Sequence, residues 1–152
     1  MSRVTATWVN GKQFVAESES GHGLIMDAGA AVGGRNTGPA PMELLLAGLA
    51  GCTGIDVVYI LTDKMKKELT SLEIQVSGER AIEPPKVYTD IQVTYRIKGP
   101  NLKEKDAVRA IRLSSENYCS VSIMLAKTAK IQVAYEITDE VSGETWQGAL
   151  GD

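Results

Sequence analysis

Residues 38–58 read GPAPMELLLAGLAGCTGIDVV and are the most informative stretch of this 152-residue chain. The two prolines at its beginning stand where a helix start tolerates proline, so we predict a helix over 42–50. Glycines weaken the end of that helix, and we expect a second helix to begin at about Cys52 and to run to about Lys67. Its apolar residues lie nearly all round the circumference, which predicts a helix buried in the middle of the fold.

The chain has two cysteines, Cys52 and Cys119, and each is predicted to lie at the start of a helix. The first amides of a helix lack backbone partners and carry the positive end of the helix dipole. A sulfur placed there is stabilised as a thiolate, which is the form that attacks a peroxide oxygen. The attack gives a sulfenic acid, and a second thiol within reach can close a disulfide.

Two observations favour a different interpretation of these cysteines. Free cysteines are often buried residues that only pack. Asp56 follows Cys52 by four residues, on the same predicted helix face, and its charge disfavours a thiolate. The residues alone therefore leave open both a reactive thiol pair and two inert core residues.

We expect no metal site and no cofactor. Two cysteines and the single His22 supply few soft ligands, and no Cys-x-x-Cys spacing is present. His22 stands between two glycines, which is typical of a turn residue.

The sequence on either side of this stretch predicts an α+β fold of mostly antiparallel strands in a single domain, 1–152. Asn10-Gly11 is a strong hairpin signal between the first two strands. From Thr138 the chain is polar, and we expect a tail without regular structure. The predicted strands cover 5–9, 13–18, 23–26, 72–80, 87–97 and 130–137, and the further helices cover 103–117 and 119–127.

Composition excludes several classes of partner. The net charge of −3 gives no basic footprint for nucleic acid. We find no apolar stretch long enough to span a bilayer, and the first residues lack the pattern of a secretory signal. These observations predict a cytoplasmic protein without membrane or nucleic-acid partners. In that reducing compartment the cysteines are not expected to form a permanent disulfide.

Two segments carry a resemblance to a known family. Residues 38–58 resemble the central helix signature of the OsmC/Ohr superfamily, the osmotically induced and organic-hydroperoxide-resistance proteins, and 114–121 (SSENYCSV) resemble the segment around that family's second cysteine. The forms Pro-Met-Glu-Leu-Leu and Cys-Thr-x-x-Asp-Val-Val are similar to the less characterised OsmC-like branch.

The resemblance implies an intertwined homodimer, with β-sheets wrapped around central helices and active sites at the subunit interface. It implies that Cys52 is the peroxidatic thiol and Cys119 the resolving thiol. The implied substrates are organic hydroperoxides, with hydrogen peroxide a poorer one. The implied source of electrons is an external dithiol, without metal or flavin.

One departure from the family concerns the Glu that helps to polarise the thiolate. The family Glu directly follows a Pro, where this chain has Met42, and Glu43 comes one residue later. On a continuous helix Glu43 would lie nearly opposite Cys52, so only a break near Gly48 or Gly51 could bring it in. The alternative for Glu43 is a first-turn residue that complements the helix dipole.

A second departure concerns the family Arg. That Arg comes from the first hairpin, where this chain has Lys12, and Arg35 in the glycine-rich loop is the best substitute cation. The alternative for Arg35 is a solvated loop charge.

These observations predict a thiol-dependent peroxidase that reduces organic hydroperoxides in oxidative-stress defence. The rival prediction is a non-catalytic protein that binds a small apolar ligand at the dimer interface. A third interpretation is a purely structural domain whose two thiols resist alkylation in the folded state.

Overall fold

The computed structural model of the protein describes residues 1–151. The chain divides into two compact units, Met1–Leu45 and Leu46–Asp152, and each is described here by itself. The single domain expected for 1–152 remains a prediction.

The first unit contains a three-stranded antiparallel sheet in the order β1-β2-β3. The antiparallel pairing of the first two strands confirms the predicted hairpin. Gly11 lies in its turn with a φ of 52°, a value that favours glycine. His22 lies in the turn between the second and third strands, as expected. The strands are β1 (Val4–Asn10), β2 (Gln13–Ser18) and β3 (Gly23–Met26).

A single carboxylate organises the glycine-rich loop that follows β3. Asp27 is buried and its Oδ2 accepts hydrogen bonds from the backbone amides of Arg35 and Thr37 and from the Thr37 hydroxyl, the last at 2.8 Å. These bonds, with the Thr37 hydroxyl contributing most, hold the pKa of Asp27 below its usual value. The loop is irregular, as predicted, apart from one short 3₁₀ turn, Ala30–Val32.

The central stretch forms one helix rather than two. Helix α1 (Pro41–Val58) runs without a break and continues into π-helical turns, Tyr59–Lys64. The prediction that a helix begins at Cys52 is therefore wrong. Glycine costs about 1 kcal/mol in a helix interior, and packing of the buried side chains on one face outweighs that propensity. The buried residues of α1 are Leu49, Thr53 and Val57.

The expectation that this helix is buried all round is also wrong within one chain. Ile55 is 73% exposed, and Val58 and Tyr59 are exposed as well. By length and composition alone, the 24-residue helical run Pro41–Lys64 is long and apolar enough to cross a membrane, which corrects the prediction that no such stretch exists. The core helix of a soluble protein passes the same test, so length and composition alone do not assign a membrane span.

The second unit contains a four-stranded sheet in the order β4-β5-β6-β7. Its pairs are antiparallel except for β5 and β6, which run parallel and are joined by a helical crossover. Together with the first sheet this confirms the α+β class with mostly antiparallel pairing. The strands are β4 (Ser71–Arg80), β5 (Tyr88–Gly99), β6 (Lys130–Asp139) and β7 (Thr145–Ala149). The crossover comprises α2 (Glu104–Leu113), π-helical turns Ser114–Tyr118 and α3 (Ser120–Leu125).

The predicted unstructured tail is another correction. Strand β6 continues to Asp139, and β7 pairs antiparallel with it, so that Trp146 lies opposite Ile137. The hydroxyls of Thr138 and Thr145 are 3.0 Å apart across the pair. Cross-strand pairing therefore supplies an order that the polar composition of this segment did not suggest.

Candidate active site

The second unit brings the two cysteines together. Helix α1 carries Cys52, and Cys119 stands between the π-helical turns and α3. Both are free thiols, and their sulfurs and a carboxylate oxygen of Asp56 all lie within 4.8 Å of one another. Cys119 is fully buried, whereas Cys52 is partly exposed. One thiol of the pair is therefore open to reagents and the other is shielded.

Cys119 lies at a helix start, as predicted, but this position does not make it a thiolate. Its Sγ accepts a hydrogen bond from the amide of Ser122 at 3.4 Å, which caps α3. Burial, followed by the hydrogen bond with Cys52, raises the pKa of the Cys119 thiol, and the bonds from the amides of Ser122 and Val121 oppose this only in part. The shielded thiol therefore keeps its proton at neutral pH.

Cys52 lies in the interior of α1, so the argument from a helix start does not apply to it. The backbone amides around Cys52 are engaged within the helix, so the start of α1 does not stabilise its thiolate. Asp56, one turn later on the same face, places a carboxylate beside Cys52, where the resemblance implies a cation.

A chain of hydroxyls extends from this carboxylate into the core. Ser114 donates a hydrogen bond to Asp56 Oδ2 at 2.9 Å, and the Thr53 hydroxyl lies 2.8 Å from the Ser114 hydroxyl and 2.6 Å from that of Tyr95. Burial raises the pKa of Tyr95 to about 12, so its phenol stays protonated. The fully buried members of the chain are Thr53, Tyr95 and Ser114.

We expect Thr53→Val to destabilise the protein by about 2 kcal/mol, because it keeps the shape of the side chain but removes the hydroxyl that links Tyr95 to Ser114. Thr53→Ser is the matched control, since it keeps the hydroxyl and removes one methyl, at a cost of about 1 kcal/mol. Urea unfolding at one fixed protein concentration measures both changes. A valine variant as stable as the wild type would show that the hydroxyl chain contributes nothing to the free energy of unfolding.

A cavity of about 620 Å³ reaches Asp56, the residue beside the cysteine pair. Asp56 forms part of its wall, and the remaining wall combines apolar side chains, two tyrosines and two cations. The Lys64 ammonium lies 5.1 Å from the centre of the Tyr59 ring. The lining residues are Asp56, Tyr59, Ile60, Lys64, Met65, Arg109, Leu113 and Tyr118. Such a cavity suits a small molecule with an apolar body and a polar end.

The first unit holds the two predicted activating groups. Glu43 Oε2 accepts a hydrogen bond from the amide of Ala40 at 2.7 Å, which caps the start of α1. Because α1 is continuous, the break proposed to bring Glu43 toward Cys52 is absent. Glu43 therefore fits the alternative interpretation, a first-turn residue at the positive end of the helix.

The two candidate cations also have partners in the first unit. The guanidinium of Arg35 donates to the side-chain oxygen of Asn10, and the ammonium of Lys12 donates to the carbonyl of Val32. Arg35 is exposed, and its partner Asn10 is the last residue of β1. The role of Arg35 in activation stays a prediction.

The side chains at the cysteine pair suit thiol chemistry better than a structural metal site. Within residues 1–151, Cys52, Asp56 and Cys119 supply two thiols and one carboxylate, whereas a structural zinc site takes four protein ligands. The expectation of no metal and no cofactor stays a prediction.

The sequence did not predict the hydroxyls behind Asp56. Ser114 lies within the motif 114–121, and Thr53 and Tyr95 lie in regular helix and strand patterns. A threonine in an otherwise apolar helix face is the one signal that could have indicated a buried polar partner, because an unpaired hydroxyl in a core is costly.

Comparison with known proteins agrees with this fold. Residues 34–134 match the family model described as OsmC-like protein. Protein YhfA from Escherichia coli K12 is 38% identical over 130 residues, which cover 86% of this chain and 93% of YhfA. A hypothetical protein from Aquifex aeolicus is 28% identical with a TM-score of 0.80 over 92% of this chain and 98% of its own.

A more distant structure shares the fold. It is an organic hydroperoxide resistance protein OsmC from Legionella pneumophila, 17% identical, with a TM-score of 0.67 over 89% of this chain and 96% of its own. The family match spans both cysteines and extends over most of the chain. This chain belongs to the OsmC-like family.

Proposed function

We propose that the protein is a thiol-dependent peroxidase that reduces organic hydroperoxides through Cys52 and Cys119. The observation that carries the proposal is the pair of free sulfurs within 4.8 Å, one partly exposed and one fully buried. This asymmetry is what a peroxidatic thiol and a resolving thiol require, since the first must meet the substrate and the second must meet only the first.

The reaction proceeds in three balanced steps. The Cys52 thiolate attacks the outer peroxide oxygen, the O–O bond breaks, and the leaving alkoxide takes a proton to become an alcohol. Cys119 then attacks the resulting sulfenic acid, which forms the disulfide and releases water. An external dithiol reduces the disulfide by thiol exchange and restores both thiols.

The cavity beside Asp56 supports an organic substrate. Its apolar side chains suit an alkyl or aryl group, and its wall reaches the residue that stands beside both sulfurs. The organic hydroperoxide resistance protein of similar fold is consistent with this substrate class. Hydrogen peroxide would gain little from the apolar wall, so we propose that it is the poorer substrate.

We also propose that the protein is a cytoplasmic homodimer. Among residues 1–45 the chain buries only Ala16 and Asp27, and apolar side chains such as Trp8 and Leu24 are exposed. In the second unit Ile55 of the central helix is exposed as well. Exposed apolar surface of this kind marks an interface, and a second copy of the chain would cover it.

The direct test uses the pre-reduced wild-type protein and cumene hydroperoxide in a stopped-flow instrument. We expect each equivalent of peroxide to consume two thiols and to give one Cys52–Cys119 disulfide, identified by mass spectrometry of the peptides. Thiols that stay reduced while the peroxide persists would exclude the peroxidase.

The cavity also favours a second candidate, a protein that binds a small ligand without turning it over. Lys64 and Arg109 on its wall would pair with an anionic end of such a ligand. Native mass spectrometry separates the two candidates. A co-purifying small molecule with thiols that oxidise slowly indicates binding, and a ligand-free dimer that forms the disulfide rapidly indicates catalysis.

A further inference from the structure

The cysteine pair has an unassigned carboxylate beside it. Asp56 lies within 4.8 Å of both sulfurs, whereas the predicted activating residue Glu43 caps the start of α1. A negative charge at this place opposes formation of a thiolate. The Asp56 carboxylate must therefore have a role other than stabilising a thiolate.

The resolving step needs a group that accepts a proton. Cys119 is fully buried, and burial raises the pKa of its thiol, so little of it is thiolate at neutral pH. The thiolate is the attacking form in thiol exchange. A base near Cys119 would take the proton of its thiol during the attack, and carboxylates commonly act as such bases.

The hydroxyl chain gives Asp56 a fixed orientation. The Asp56 carboxylate can only accept a hydrogen bond, so Ser114 donates to its Oδ2. The Ser114 oxygen then accepts from Thr53, and the Thr53 oxygen accepts from the protonated phenol of Tyr95. All the donors of this chain of hydroxyls point toward the Asp56 carboxylate, which accepts at Oδ2.

We propose that Asp56 is the proton acceptor for the Cys119 thiol when that thiol attacks oxidised Cys52, and that Ser114, Thr53 and Tyr95 position it. The inference rests on the proposed function. The Cys119 proton passes to Asp56 as the sulfur–sulfur bond forms and the sulfur–oxygen bond of the sulfenic acid breaks. Asp56 then returns the proton to the departing hydroxide, which leaves as water.

The test replaces the peroxide by 5,5′-dithiobis(2-nitrobenzoate), so that it does not depend on peroxide chemistry. Cys52 first forms a mixed disulfide and releases one nitrothiobenzoate. Cys119 then attacks the mixed disulfide and releases a second, and its proton goes to the base. The second release measures resolution alone, because the departing thiolate needs no proton. Cys119→Ser must lack it.

We expect Asp56→Asn to slow the second release by at least about 10-fold at pH 7. The difference in this rate between Asp56→Asn and the wild type should become smaller as the pH rises, because hydroxide then deprotonates Cys119 directly. Ser114→Ala keeps the carboxylate charge but removes its hydrogen bond, and we expect an intermediate rate. Asp63→Asn removes an exposed charge from the adjacent π-helical turns and should leave the rate unchanged. The other titratable groups on the cavity wall, Lys64, Arg109, Tyr59 and Tyr118, are retained in every variant.

Two results would overturn the inference, and a third would separate it from the proposed function. An Asp56→Asn variant that resolves as fast as the wild type, or faster, would show that the carboxylate acts only as a repelling charge. A wild-type protein without a second release would show that Cys119 cannot resolve. Inert behaviour toward cumene hydroperoxide together with a normal, Asp56-dependent second release would reject the peroxidase and retain the proton acceptor.

Discussion

Cys52→Ser is expected to reduce the rate of cumene hydroperoxide consumption by at least about 10³-fold, to the rate measured without protein. A serine hydroxyl is not ionised at neutral pH and forms no sulfenic acid, so the first step has no nucleophile. Cys119 cannot replace it, because that thiol is fully buried and its pKa is raised. Stopped-flow measurement of the pre-reduced variant checks the expectation.

The control for Cys52→Ser is a measurement that the variant keeps its fold. The substitution exchanges one sulfur for a smaller oxygen at a partly exposed helix position, so the far-ultraviolet spectrum and the unfolding midpoint should change little. A variant that is folded and still consumes peroxide at the wild-type rate would remove Cys52 from the mechanism.

Cys119→Ser is expected to abolish the intramolecular disulfide and to leave the first oxidation within about threefold of the wild-type rate, because only Cys52 meets the peroxide. The sulfenic acid at Cys52 should persist, react with dimedone, and pass to the sulfinic acid when peroxide is in excess. Intact-mass spectra after one equivalent and after excess peroxide measure these products.

The serine at position 119 should preserve the local structure. Cys119 caps α3 by accepting a hydrogen bond from the amide of Ser122, and serine is a preferred residue at such a position. A loss of peroxide reduction equal to that of Cys52→Ser would contradict the division of roles, since it would mean that both thiols are needed for the first step.

The sequence supported the fold class well and the site only in part. Alternation of apolar residues located β4 and β5, and Asn10-Gly11 located the first hairpin, because both signals are local. Glycine propensity placed a false boundary before Cys52, since packing of α1 outweighs a local cost of about 1 kcal/mol per glycine. Strand β7 was missed because its order comes from pairing with β6.

The sequence by itself determined that two cysteines lie in family-like segments of an α+β fold, because motif spacing and periodicity are written in neighbouring residues. Only the tertiary structure decided that their sulfurs lie within 4.8 Å of each other and that Cys119 is the shielded one. It also placed Asp56 beside both sulfurs and gave Glu43 the cap at the start of α1. Distance and burial depend on how α1 packs against the crossover between β5 and β6. Residues far apart in the chain share that environment only after folding.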